Sequence, residues 1–204
     1  IAKVTISDAA DTSIAATVLS AIGAKTGGVV TVTYAIIITG SNTEVTAALV
    51  TTDTLVVAAI AKVTISDAAD TSIAATVLTA IGAKTGGIVT VTNAIIVTGT
   101  VTQVTAALVT DNTLVIAATA KATISDAAGT DIDATDLSAI GAKTGGVVTV
   151  TNAIDILGDH DEVKAALVTA SSKVVAATAT VTISGTLSTA THTSTLGSVA
   201  AATS

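Results

Sequence analysis

The sequence predicts an α/β fold, a right-handed solenoid of stacked strand–helix–strand coils with parallel β-sheets. Three observations predict it. The segment 2–60 recurs without a gap as 61–119 and again as 120–178, and a partial fourth copy fills 179–204. Within each copy, short β-branched runs alternate with helical stretches. The apolar half of the chain is almost entirely Ala, Val, Ile and Leu, with no Phe, Trp, Met, Pro or Cys and Tyr34 as the one aromatic residue. Such residues suit a thin interior filled in layers. An ungapped period suits an array in which each unit packs on its neighbours, because an insertion would bulge out of every layer. Residues 1–204 are therefore expected to form a single repeat array.

Each copy divides into two halves that read strand, helix, strand. The first half opens with KVTIS (3–7), where Val4 and Ile6 alternate with Thr5 and Ser7. That period of two turns aliphatics to one face and hydroxyls to the other. A helix follows, ending at AIGAK (21–25). Its start is set by repeat three, where Asp133 and Asp136 replace Ala15 and Val18. On an earlier-starting helix both acids would fall on the apolar stripe, at a large desolvation cost. A start at Asp133 instead makes them a cap pair, with Ile132 and Leu137 in staple positions. Gly23 or Gly27-Gly28 ends the helix, with Lys25 near the negative end of its dipole. The half closes with GGVVTVT (27–33). The second half reads IIIT (36–39), a shorter helix around EVTAALV (44–50), and LVVAA (55–59). Ser41 and Glu44 have the spacing of a capping box, and Asp159 with Glu162 keeps it in repeat three. Aligning Ile6, Ile38 and Ile65 makes the two halves unequal, with sequence offsets of 32 (38 − 6) and 27 (65 − 38). Each half is expected to be one turn, with equivalent positions of successive copies lying directly over one another. The crossovers should be right-handed.

Composition narrows the function. The net charge is −7 with a pI near 4.4, all eight basic residues are Lys, and 11% of residues are charged. Nucleic acid is not an expected partner, because phosphates need cations and bases need aromatic platforms. Without Cys there is no disulfide framework and no thiolate metal site. The longest uninterrupted apolar run extends only from Leu55 to Ala61, against about 20 positions for a spanning helix. Ile1 fills the slot that Ile60 fills one repeat later, so the chain is expected to open inside an array, with any targeting signal elsewhere.

The strand–helix organisation is similar in outline to leucine-rich repeats, although the LxxLxLxxN pattern is missing. The segments VTISDAA (4–10 and 63–69) and LSAIGAKTGG (19–28, with copies at 78–87 and 137–146) resemble the Ala/Thr/Val/Asp-rich tandem repeats of very large secreted bacterial surface proteins. That resemblance implies export, a cell-surface or matrix location, and a scaffold or adhesive role. It implies no catalytic residue.

Several residues are weighed for chemistry. GAKTGG lacks the Gly that a phosphate loop needs before its Lys, Ala24 standing there, and reads as a helix end. Asp155, Asp159, His160, Asp161 and Glu162 are the one dense acid/His cluster; they suit Ca²⁺ or Zn²⁺ by type but read as an acidic helix N-terminus. His192 reads as a solvated or junction residue. Asn93 and Asn152, where repeat one has Tyr34, suit a left-handed turn between strands, with a stacked Asn ladder as the alternative. The pairs Thr31/Thr33, Thr90/Thr92 and Thr149/Thr151 could order water on an outward face, as in antifreeze solenoids that this pattern resembles. The expected obstacle is that TVT occurs once per two coils. By repeat the charge runs −2, −1, −4 and zero in the partial copy, which marks repeat three as a distinct face or a product of drift.

No catalytic, cofactor or metal site is assigned, and enzyme activity is not expected. The expected function is an extracellular or cell-surface structural element, a stalk, fibre or coat, that self-associates head to tail because neither end carries a recognisable polar cap. The alternative is an ice-binding or adhesive module using the Thr-x-Thr face. A Ca²⁺-stiffened surface repeat is a third option.

Overall fold

The computed structural model describes residues 2–110, 114–185 and 191–203, with backbone only for 191–195. Repeat one contains β1 (Val4–Ile6), β2 (Ser13–Ala15), α1 (Ala16–Thr26), β3 (Val30–Val32), β4 (Ile37–Gly40), α2 (Asn42–Leu49) and β5 (Val56–Val57). Repeat two gives the same seven: β6 (Lys62–Ile65), β7 (Ser72–Ala74), α3 (Ala75–Gly82), β8 (Val89–Val91), β9 (Ile96–Gly99), α4 (Val101–Leu108) and β10 (Val115–Ile116). Repeat three follows with β11 (Lys121–Ile124), β12 (Asp131–Asp133), α5 (Ala134–Lys143), β13 (Val148–Val150), β14 (Asp155–Asp159), α6 (His160–Leu167) and β15 (Val174–Val175). The partial copy adds β16 (Thr180–Ser184) and α7 (Thr191–Ala202).

The fold is α/β, and every strand pair among the described residues is parallel. There are four sheets, in the orders β1-β3-β5, β10-β8-β6-β4-β2, β15-β13-β11-β9-β7 and β12-β14-β16. Paired residues lie 24 to 26 positions apart: Ile14 on Ile38, Ile38 on Val63, Val63 on Val89, Val89 on Val115. Consecutive helices pack on one another from α1 through α7.

Two expectations are corrected here. The local order is strand, strand, helix, because β2, β7 and β12 precede the first helix of each repeat. Pairing therefore follows the even offset of 24 to 26 rather than alternating offsets of 32 and 27. Equivalent positions of successive copies also do not lie over one another within a sheet. Val4 is in the first sheet, Val63 in the second, Ala122 in the third and Val181 in the fourth. Each five-stranded sheet is built from the second and fourth strands of one repeat followed by the first, third and fifth of the next.

The strand alternation holds. Val30 and Val32 are buried while Thr31 between them is partly exposed, and β8 repeats the pattern. Leu19, Leu78 and Leu137 are wholly buried in the first helix of each repeat, as are Ile36, Ile95 and Ile154 before its fourth strand. Each contributes roughly 1.5–3 kcal/mol by leaving water. The first helix does start after Asp133, with Ile132 and Leu137 buried beside it, but Asp133 makes no side-chain cap bond. α1 runs to Thr26 and ends on Gly27 at φ 58°, the left-handed terminus that glycine permits.

Candidate functional site

Polar groups join each repeat to the next at recurrent positions. The loop after β6 brings Asp67 over the start of α2. Its carboxylate accepts the Asn42 backbone N–H at 2.6 Å and the Asn42 side-chain amide at 2.7 Å. One repeat on, the buried Asp126 accepts the Val101 N–H at 2.7 Å, at the start of α4. Both place an anion on free N–H groups at the positive end of a helix dipole. A second tie joins Lys62 to Asp11 at 2.7 Å and Lys121 to Asp70 at 2.6 Å. Asp11 and Asp70 both hold φ 64°, and Gly129 takes the equivalent position at φ 73°. Where Asp gives way to Gly129, the partner position holds Thr180 in place of Lys, so both halves of the pair are missing together.

Thr residues form files across the sheets. Thr39, Thr64 and Thr90 are in register on three neighbouring strands of the second sheet. Thr98, Thr123 and Thr149 repeat the file in the third sheet. The TVT strands β3, β8 and β13 fall in three different sheets, and each file is completed by Thr of the two preceding strands; it ends at the LVVAA-type strand, where Ile116 lies beside Thr90 and Val175 beside Thr149. The second Thr of each motif is used differently from the first. Thr33, Thr92 and Thr151 donate their hydroxyls to the carbonyls of Ile6, Ile65 and Ile124 at 3.0, 3.2 and 3.0 Å.

In the acid/His cluster, Asp159 accepts the N–H groups of Asp161 and Glu162, both at 2.9 Å, and Glu162 accepts the Asp159 N–H at 2.8 Å. This is the capping box expected for α6. His160 Nδ1 lies 3.2 Å from Asp161 Oδ1, and Asp155 sits at the other end of β14. No group of three or more His, Asp or Glu is arranged to hold a metal ion among the described residues. The side chain of His192 lies outside the described residues.

GAKTGG is the end of the helix and the turn after it. In repeat two a Cβ on Gly86 would come 2.7 Å from the Ala59 carbonyl oxygen, and one on Gly87 would overlap that of Ala61. Close backbone approach explains the glycine pair. Asn93 and Asn152 are absent from the positive-φ positions, which corrects the left-handed assignment. They reach back instead to the carbonyls of Asp67 and Asp126 at 2.7 and 2.6 Å, bracing the loops that carry the capping carboxylates. Sequence reasoning missed those loops, although the recurrent SDAAD segment (7–11 and 66–70) was a signal for them.

A shallow recess of about 330 Å³ is lined by Ile88, Leu108, Leu114, Ile116, Thr110 and Lys143, and its copy lies around Val29, Leu55, Val57 and Lys84. Among the described residues, neither is lined by a carboxylate or an imidazole. No helix among the described residues is long and apolar enough to cross a membrane. Comparison with protein-family models, curated proteins and solved structures returns no match.

Proposed function

We propose that the chain is a structural element, a right-handed solenoid segment of an extracellular stalk, fibre or surface coat that associates end to end, with no catalytic role. The observation that carries this is the constant pairing offset, 24 to 26 positions in every sheet. Seven elements per repeat, taken three to a turn, make two and one-third turns. Each repeat then advances by one face, which accounts for equivalent strands falling in successive sheets. The likeness to bacterial surface repeats in VTISDAA and LSAIGAKTGG supports the location. The acidic charge disfavours nucleic acid as a partner. Sheet edges favour association, since unpaired strand edges recruit other strands. Electron microscopy of the purified chain at rising concentration should show filaments of uniform width. Dispersed single particles at every concentration would count against end-to-end assembly.

The Thr files favour a second reading, an ice-binding face, because three in-register Thr at about 4.8 Å spacing stand on each of two sheets. Thermal hysteresis that disappears when Thr64 and Thr90 are replaced by bulkier residues would support it. No hysteresis in the unaltered chain would remove it.

A further inference from the structure

We infer that the N-terminal face of the array is a binding surface for the strand–helix unit of another repeat of the same type, the unit that residues 36–50 form in repeat one. This rests on the solenoid reading above and names the partner of one of its ends. The argument starts from identity. Residues 2–19 and 61–78 match at every position. In repeat two that segment is covered. β6 pairs with β4, with Val63 on Ile38 and Ile65 on Gly40, and the Lys62 and Ser66 amides donate to the Ile36 and Gly40 carbonyls at 2.8 and 3.0 Å. The third sheet repeats the arrangement, Lys121 and Ser125 donating to Ile95 and Gly99 at 2.8 and 2.9 Å.

In repeat one the same face is open. The first sheet holds β1, β3 and β5, the first, third and fifth strand types, and lacks the second and fourth that precede them in the two complete sheets. Val4 and Ile6 are partly exposed, whereas Val63 and Ile65 are buried. Lys3 and Asp8 are exposed, whereas Lys62 holds Asp11 and Asp67 caps α2. An occupant must therefore bring a parallel strand for the edge of β1, a helix N-terminus for Asp8 and a carboxylate for Lys3. Residues 36–50 supply the strand and the helix, and the left-handed Asp11 supplies the carboxylate. The C-terminal end of a second molecule is a poorer match, because β16 is itself of the first strand type and Gly129 removes the acid that Lys3 would need.

The test adds one further copy of residues 2–60 in front of Ala2 of the full chain and follows amide exchange and thermal unfolding. Exchange at Lys3 and Ser7 should slow by about tenfold or more, to the level of Lys62 and Ser66, with one unfolding transition shifted upward. Asp8→Ala should then lower the midpoint of the extended chain as Asp67→Ala does, and leave that of the unextended chain unchanged. Fast exchange at Lys3 and Ser7 in the extended chain, with the added copy melting separately, would overturn the inference. Protection of these amides in the unextended chain that grows with concentration and is unchanged by Asp8→Ala would overturn it too, by giving the face to an occupant that brings no helix N-terminus. Lys62 and Ser66 are the internal control: fast exchange there in the unextended chain would sink the repeat packing itself rather than the face.

Discussion

Asp126 is a carboxylate taken out of water to serve one backbone N–H, and that makes it sensitive to substitution. It is buried, it accepts from Val101, and its own carbonyl is held by Asn152. Replacing it by Ala leaves a buried helix N–H without an acceptor, so Asp126→Ala should lower stability by about 1–3 kcal/mol in denaturant titration. Gly141 tests packing with the opposite expectation from propensity. Gly to Ala inside a helix ordinarily gains up to about 1 kcal/mol. Here a Cβ would overlap the Ser172 carbonyl, with the Ser172 carbonyl carbon at 2.8 Å. Gly141→Ala should therefore be destabilising, by about 1–3 kcal/mol. Gly197, in α7 with nothing within 4 Å of its Cβ direction, should gain from the same change. Calorimetry of the two variants should move the midpoint in opposite directions.

Among the elements, the helix starts were legible because capping chemistry is local. Ser41 with Glu44, and Asp159 with Glu162, are spaced by the geometry of one helical turn and form the expected boxes. The shortest strands were not legible. Ser13–Ala15 has one aliphatic residue between two small ones, too few to show a period of two, and its strand character comes from pairing Ile14 with the distant Ile38 of β4. The same separation in sequence hid the Asp67 and Asp126 caps and the Thr file, since each is made across separate strands. The Lys–Asp ties are legible only in retrospect, through their joint loss at Gly129 and Thr180. They are half-exposed, so each is worth at most about 1 kcal/mol. Restoring the third pair by Gly129→Asp with Thr180→Lys should show a favourable coupling of roughly 0.2–1 kcal/mol in a double-mutant cycle. That coupling should fade at high salt.

At the scale of the whole molecule, the repeat period is plain in the sequence, but its geometric meaning is not. The period alone suggests vertical stacking of equivalent positions, whereas the structure moves each copy one sheet along. A chain lacking 61–119 joins Ile60 to Ala120 and keeps every strand type in order. It should remain folded, with unchanged circular dichroism per residue and a denaturant slope reduced in proportion to the lost surface. A collapse to an unfolded or aggregated chain would show that the repeats are not equivalent units.

The displacement of each copy into the next sheet also guards against misassembly. Nearly identical segments in one polypeptide invite strand exchange and slippage, since any copy can stand in for another. In the two complete sheets each strand type occurs once, so a strand that shifts by one place meets a neighbour of the wrong type and leaves its Asp and Gly contacts behind. Near-perfect internal duplication is thereby made compatible with one unambiguous pairing.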